Sequence, residues 1–438
     1  MQRRTFLAAL LGGLPSAPVV LLDDGGWCWF EDERAIITGR KLIFGTVATG
    51  YKNPALAGHI RVSEYDLKTG QSAVFTLHDP NGDESPKQWI DDHNSPAFLR
   101  RPGGRILAVY ARHGTRNQIH YRLSTNKHSA AQWEPEKVFV PSEASRVTYS
   151  NLFYLKKEKR LYNFFRGIHN SYKPSYNWSP DGGDTWNPGG VVIDVPLEFR
   201  HRPYAKYCSN NTDTIHIAYT EGHPHVFDNS IYHTFYRRGH LHRSDGSVIR
   251  SLKEGLRSPE EGTRIFQGGP NAVAWTTDFH IIGKNELLLI YTVQRNGAGQ
   301  KQGAEVAGQD HRFRLAHWDG RQWNDHEIAH AGSRLYRGED DYTGLAALDP
   351  HDPKTIFIST NAHPITGEKL PHREIYRGRT TNYQTFTWTP VTANSTADNL
   401  RPIVPIWRGR KRALLWLRGE MRAYTDYSFE VVGLFENR

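Results

Sequence analysis

Residues 89–98 read WIDDHNSPAF, so two carboxylates, a histidine and an amide stand directly before a short apolar strand. A histidine beside carboxylates can be held in one tautomer and can pass protons near neutral pH. Farther along, His113 in VYARHG, Tyr149 in TYSN and Arg166 in FFRG occupy comparable settings at the ends of apolar runs. Imidazole, phenol and guanidinium together suit β-elimination on a uronic acid. An arginine pairs with the C6 carboxylate and acidifies the C5 proton, a base removes that proton, and an acid protonates the departing C4 oxygen. Tyrosine joins such a transfer if nearby cations lower its pKa. A glycosidase instead needs two carboxylates roughly 5–10 Å apart. Asp91 and Asp92 are adjacent in an extended stretch and point in opposite directions, so they are expected to fix the loop and the tautomer of His93.

The elements that position these groups repeat. HNSPAFLRRPGGRILAVYARHG (93–114) and YSNLFYLKKEKRLYNFFRG (149–167) share one outline: a polar start, a strand, a charged turn, a second strand, then a basic residue before glycine. The outline returns at 33–50, 202–222, 276–295, 342–364 and 400–419, and each copy is followed by two further strand-like stretches. Four strands per unit predict an all-β fold, a seven-bladed β-propeller of four-stranded antiparallel blades. SPDGGDTW (179–186) fits the Asp-box pattern of a turn between outer strands, and 250–270 and 296–308 read as insertions. In a propeller the starts of first strands and the ends of second strands meet at one channel mouth. That places Arg34, His93, Tyr149, Arg202, Tyr342 and Arg401, with His113, Arg166, Glu221, His363 and Arg418, around one opening.

A metal site is also suggested. Cys208 should lie opposite His216 across the hairpin whose turn is NNTD, and the next strand brings His233 close. His223 or His225 would supply a loop-borne fourth ligand. The expectation is a structural zinc on Cys208, His216, His223 and His233, with no cofactor required for the chemistry, since an arginine can neutralise the carboxylate. With only two cysteines, Cys28 and Cys208, there is no disulfide framework.

The formal net charge of +9 implies an acidic partner. Arginines recur singly at strand ends and no long basic run appears, which favours discrete carboxylate or sulfate contacts over nucleic acid. The opening MQRRTFLAALLGGLPSAPVV reads as a twin-arginine export signal, 1–22, ahead of one catalytic domain, 23–438, and predicts a periplasmic or secreted protein. No other run is long and apolar enough to insert in a membrane, and a monomer is expected.

The blocks GGWCWFEDERAI, DDHNSPAF, VYARHG, TYSN with FFRG, RPYAKY, and GHPH with SIYHTFYRRG resemble those of the BNR-repeat propellers that include the seven-bladed ulvan lyases. The resemblance covers most of residues 25–245. It implies cleavage by elimination beside glucuronate or iduronate in a sulfated polysaccharide. It also implies a site of His93, Tyr149 and Arg166 as catalytic residues, with His113 and either Tyr204 or Tyr207 beside them; Arg202, from the same block, joins the substrate contacts. The rival readings are a sialidase-like hydrolase and a non-catalytic propeller that binds acidic glycans.

Overall fold

The computed structural model describes residues 17–80, 85–169, 172–194, 202–295, 302–409 and 411–437; the expected leader lies largely outside these residues. The repeats form seven antiparallel sheets in a propeller ring, blades I to VII in chain order. Their innermost strands are Ala35–Thr38, Ala97–Arg100, Thr148–Leu155, Ala205–Ser209, Ala272–Ile281, Ala346–Leu348 and Asp398–Ile403. Six blades have four strands, as expected. Blade IV has six, because Val248–Ser251 and Thr263–Phe266 form strands where the sequence suggested an insertion. Among the described residues no helix is long and apolar enough to cross a membrane.

Each blade packs face to face on its neighbours, so its middle strands are covered on both sides and read as continuous apolar runs. Leu287–Arg295 (LLLIYTVQR) is buried at every position except its terminal arginine. Between blades III and IV, Phe164 and Tyr176 form one cluster with Tyr207, Ile217 and Tyr219. The Asp box makes the predicted turn of blade III between Pro174–Ser179 and Asn187–Val191. Asp181 accepts from the backbone N–H groups of Asp184 and Thr185 at 3.0 and 2.9 Å. Arg101 of blade II clasps Asp184 with two bonds of 2.9 Å.

The ring is closed by its own beginning. Val19–Leu22 is the outermost strand of blade VII and pairs with Asp426–Asn437, Val19 opposite Gly433 and Val20 opposite Val432. The boundary expected after residue 22 therefore shifts, since this strand belongs to the propeller.

The chain then turns inward and crosses the central channel. Gly26 donates to Val47 of blade I at 3.0 Å, Cys28 to Asp92 before blade II at 3.1 Å, and Asp32 to Ser150 of blade III at 3.3 Å, all through backbone N–H groups. Lys206 of blade IV donates to the carbonyl of Trp29 at 2.6 Å, and the Trp29 indole donates to Thr276 of blade V at 3.1 Å. Arg401 of blade VII donates to the carbonyl of Trp27. Trp29 packs against Trp275 and Tyr342 with ring centroids 5.4 and 5.1 Å apart, and Phe30 against Tyr149 and Tyr204 at 5.2 and 4.9 Å. The sequence WCWF is thus a plug whose rings fill the channel.

The plug makes a stability prediction. Trp29→Ala should cost about 3–5 kcal/mol, the range for deleting a large buried aromatic, seen as a lower urea midpoint with an unchanged far-ultraviolet dichroism spectrum.

Candidate active site

The DDHN segment is a single tight turn, Asp92–Asn94, entered by Asp91, whose carboxylate accepts from the backbone N–H of His93 at 2.9 Å. Asn94 locks the turn to its blade: its side chain donates to Trp89 O at 3.0 Å and accepts from the backbone N–H of His113 at 2.7 Å. The same Asp91 carboxylate bridges two imidazoles, with Oδ1 2.6 Å from His93 Nδ1 and Oδ2 2.9 Å from His113 Nδ1. The rings stack with centroids 4.1 Å apart. Asp92, fully buried, lies 2.9 Å from His93 Nδ1 and accepts from Arg401 at 2.6 Å.

Tyr149 and Arg166 complete the cluster from blade III. Tyr149 has φ of +64° inside a register shift between Thr148 and Asn151. A bulge of this kind re-aims a side chain, here toward the channel, and a left-handed conformation at a tyrosine persists only where its surroundings enforce it. Leu345 and Arg401 have the same unusual backbone, with φ of +67° and +51°, the first just before Ala346–Leu348 and the second at a register shift within Asp398–Ile403. Arg166 Cζ lies 4.5 Å from the Tyr149 ring centroid and 5.2 Å from that of Tyr204, and its Nη2 is 3.3 Å from His113 Nε2. Arg166 Nε and Nη1 are buried without a hydrogen-bond partner.

The two imidazoles differ in charge. Burial opposes charge on His93, but the carboxylates of Asp91 and Asp92 against its Nδ1 outweigh it and hold its pKa above the usual value. His113 is pushed down to about 4 by burial, then by the charge on His93. Asp91 is buried, which would raise its pKa, yet the His113 and His93 rings hold it well below the usual carboxylate range. The Tyr149 phenol departs from expectation. Burial lifts its pKa well above the ordinary value despite Arg166 and His93, so it stays protonated at neutral pH.

The structure sorts the expected mouth residues. His93, His113, Tyr149, Arg166 and Tyr204 come together. Tyr204 and Tyr207 are three residues apart in extended chain and so face opposite ways. Tyr204 touches Phe30, Trp275 and His223, whereas Tyr207 packs between Phe153 and Phe164 while lining one small cavity with Tyr149, Arg166 and Tyr204. Arg202 sits over Tyr172 at 5.8 Å. Arg34 pairs with Asp32, Tyr342 packs on Trp29, and Arg401 holds Asp92 and Trp27, so these three secure the plug. Glu221 is occupied by Ser230 and Tyr232, and Arg418 by Glu430.

The expected zinc quartet does not assemble. Cys208 does lie opposite His216, and His216 Nδ1 is 3.1 Å from His233 Nε2. Cys208, however, packs with Phe279 and Leu289 of blade V, and its donor does not converge with the two imidazoles. His223 lies beyond the strand end and turns to the channel mouth, against Tyr204 and Trp275.

Three contributors were not anticipated. Cys28 is buried beside His93 and Asp92. Glu339, on the connection between blades V and VI, faces His223. Tyr424 tops the hairpin formed by Lys411–Ala423 and Asp426–Asn437; its carbonyl accepts from Asp92 N at 3.0 Å, and its ring meets His93 and His113 edge-on at 5.1 and 5.8 Å. The sequence showed the second strand of blade VII but not that it runs five residues past Arg418, which is what brings Tyr424 to the imidazoles.

The stacked pair predicts a split titration. In a histidine-resolved NMR titration, His113 should be neutral at pH 7 with a midpoint near 4, while His93 stays charged. The lowered pKa of His113 favours the unfolded chain as pH falls from 6.5, its ordinary value, toward 4, so its stability loss accrues across that acidic window and persists in full below it.

Comparison with known proteins fits this architecture. No curated protein matches the chain by sequence. Among solved structures, a polysaccharide lyase of family PL25, an ulvan lyase bound to GlcA(1-4)Rha3S, superposes with a TM-score of 0.68 at 14% identity, covering 94% of each chain. The polysaccharide lyase Uly1 superposes with a TM-score of 0.58 at 12% identity, covering 93% of this chain and 90% of that one. At such identities the likeness is one of fold. Residues 52–331, well over half of the chain, match a family described as BNR repeat-containing, and the protein belongs to that family.

Proposed function

We propose that the protein is a polysaccharide lyase that cleaves a uronate-containing, ulvan-like acidic polysaccharide by β-elimination. The observation that carries this reading is Arg166. Other buried arginines have carboxylate partners: Arg401 has Asp92, Arg412 has Asp349, Arg334 has Asp340 and Arg373 has Asp398. No carboxylate pairs with Arg166 among the described residues, and two of its nitrogens lack hydrogen-bond partners. A buried guanidinium with free donors is costly unless a ligand anion completes it. It lies against the two kinds of group an elimination needs.

In this scheme Arg166 binds the C6 carboxylate and thereby turns from His113 Nε2. The Asp91-linked imidazole pair accepts the C5 proton. Proton entry is at His113, whose side chain is 20% exposed against 2% for His93 and whose low pKa leaves a free lone pair. His93 stays charged beneath it and orients the pair through Asp91. Tyr149, protonated at rest, donates to the departing C4 oxygen. Tyr424 and Tyr204 wall the cleft and offer faces or edges to sugar rings. The hydrolase alternative is weakened because Asp91 and Asp92, the carboxylates beside His93, are held by the imidazoles and by Arg401.

The test is absorbance near 235 nm, which reports the 4,5-unsaturated uronate, during incubation with ulvan and with other glucuronate or iduronate polymers. A rise is expected. Reducing ends without absorbance would instead establish hydrolysis. Tyr149→Phe and His113→Ala should each lower kcat by at least about 100-fold, in line with loss of a proton-transfer group, and His93→Ala should lower it to a similar degree by releasing the Asp91 bridge that orients His113. Folded variants that keep most of their activity would remove those residues from the scheme. Tyr424→Ala should raise KM several-fold with a smaller change in kcat. Activity should fall as pH drops through about 4, where His113 gains its proton.

A further inference from the structure

His223 and His225 lie on the loop after Thr214–Tyr219 of blade IV, and Glu339 comes from the connection between blades V and VI. One donor atom from each side chain lies within 4.8 Å of the other two. Glu339 Oε2 is 3.6 Å from His223 Nε2, too far for a hydrogen bond, and this buried oxygen has no hydrogen-bond partner. Two ligand atoms about 2.1 Å from one tetrahedral zinc ion stand roughly 3.4 Å apart. The gap between carboxylate and imidazole is therefore near the span across a metal and wrong for a direct bond.

We propose that His223, His225 and Glu339 bind one divalent transition-metal ion, zinc being the ion that two imidazoles and one carboxylate with an open fourth position suit best. The exposure of His225 gives the ion an entry path. Burial holds both imidazoles below their ordinary pKa, with Arg202 adding to the effect on each, so their lone pairs are available at neutral pH. Ligation through Nε2 requires His223 to carry its proton on Nδ1 and to release the 3.4 Å contact from the His225 backbone N–H, which is at the outer edge of hydrogen bonding. The site is distinct from the blade IV group of Cys208, His216 and His233. It would tie the blade IV loop to the V–VI connection at the channel mouth.

The experiment is calorimetric titration of the purified, chelator-treated full-length protein with Zn2+ alone, and a parallel titration with Co2+ followed by visible absorption. One equivalent should bind. His225→Ala and Glu339→Gln should each weaken binding at least ten-fold and weaken the cobalt band, while His216→Asn leaves both unchanged. His225 is exposed and Gln matches Glu in size, and an unshifted metal-free urea midpoint will show that each variant is folded. The proposal is overturned if no stoichiometric binding occurs, if binding survives both variants, or if only His216→Asn abolishes it. The readout is metal binding itself, so it stands or falls separately from the elimination reading.

Discussion

The arrangement depends on the segment Gly25–Glu33 crossing the channel. A propeller ring closed by hydrogen bonds still has a hole at its centre, and here that hole is filled by Trp27, Trp29 and Phe30, which are almost fully buried. The backbone of the segment is held by groups from blades I, III, IV and VII and from the DDHN turn before blade II, and the Trp29 indole ties it to blade V. It therefore sets the relative positions of strand ends that are far apart in sequence. The floor of the cleft is the upper surface of this plug, since Phe30 carries Tyr149 and Tyr204 on its face.

The same segment imposes the electrostatics. Arg401 spans the plug and the active loop by donating to both Trp27 and Asp92. With Asp92 so held and Asp91 shared between two rings, one imidazole can be charged while its stacked neighbour is not. Two adjacent histidines in water would titrate near the same pH. Here buried carboxylates favour charge on His93, and that charge together with burial suppresses it on His113. Asp91 and Asp92, which lie beside the reacting groups without being free to react, thus differentiate the two bases. Arg166, alone among the buried arginines named here in lacking a carboxylate, is left with capacity for an external anion.

Much of the architecture was legible in the sequence because it is local. Apolar runs of strand length, punctuated by Gly, Asn, Asp and Pro and repeated in register, determine a ring of antiparallel sheets, and the Asp box determines its own turn by hydrogen bonds among neighbouring residues. The strand-end positions of the repeat also located His93, His113, Tyr149 and Arg166 at one mouth, because equivalent positions in successive blades are equivalent in space. The expected zinc quartet failed on two counts: Cys208, though opposite His216, packs into blade V, and His223 stands where that logic ends. His223 lies past the last paired residue of its strand, so register says nothing about where it goes.

What only the tertiary structure decided concerns groups that meet across the ring. Tyr424 reaches the imidazoles because one hairpin is longer than its sequence outline, and Glu339 meets His223 because two loops converge over the channel. The sequence determined that His93, His113, Tyr149 and Arg166 stand at the mouth. Which of them are charged, which are spent on holding the plug, and which remain free for a ligand depends on burial and on partners hundreds of residues away. Those long-range pairings, such as Arg401 with Asp92, leave no periodic trace along the chain.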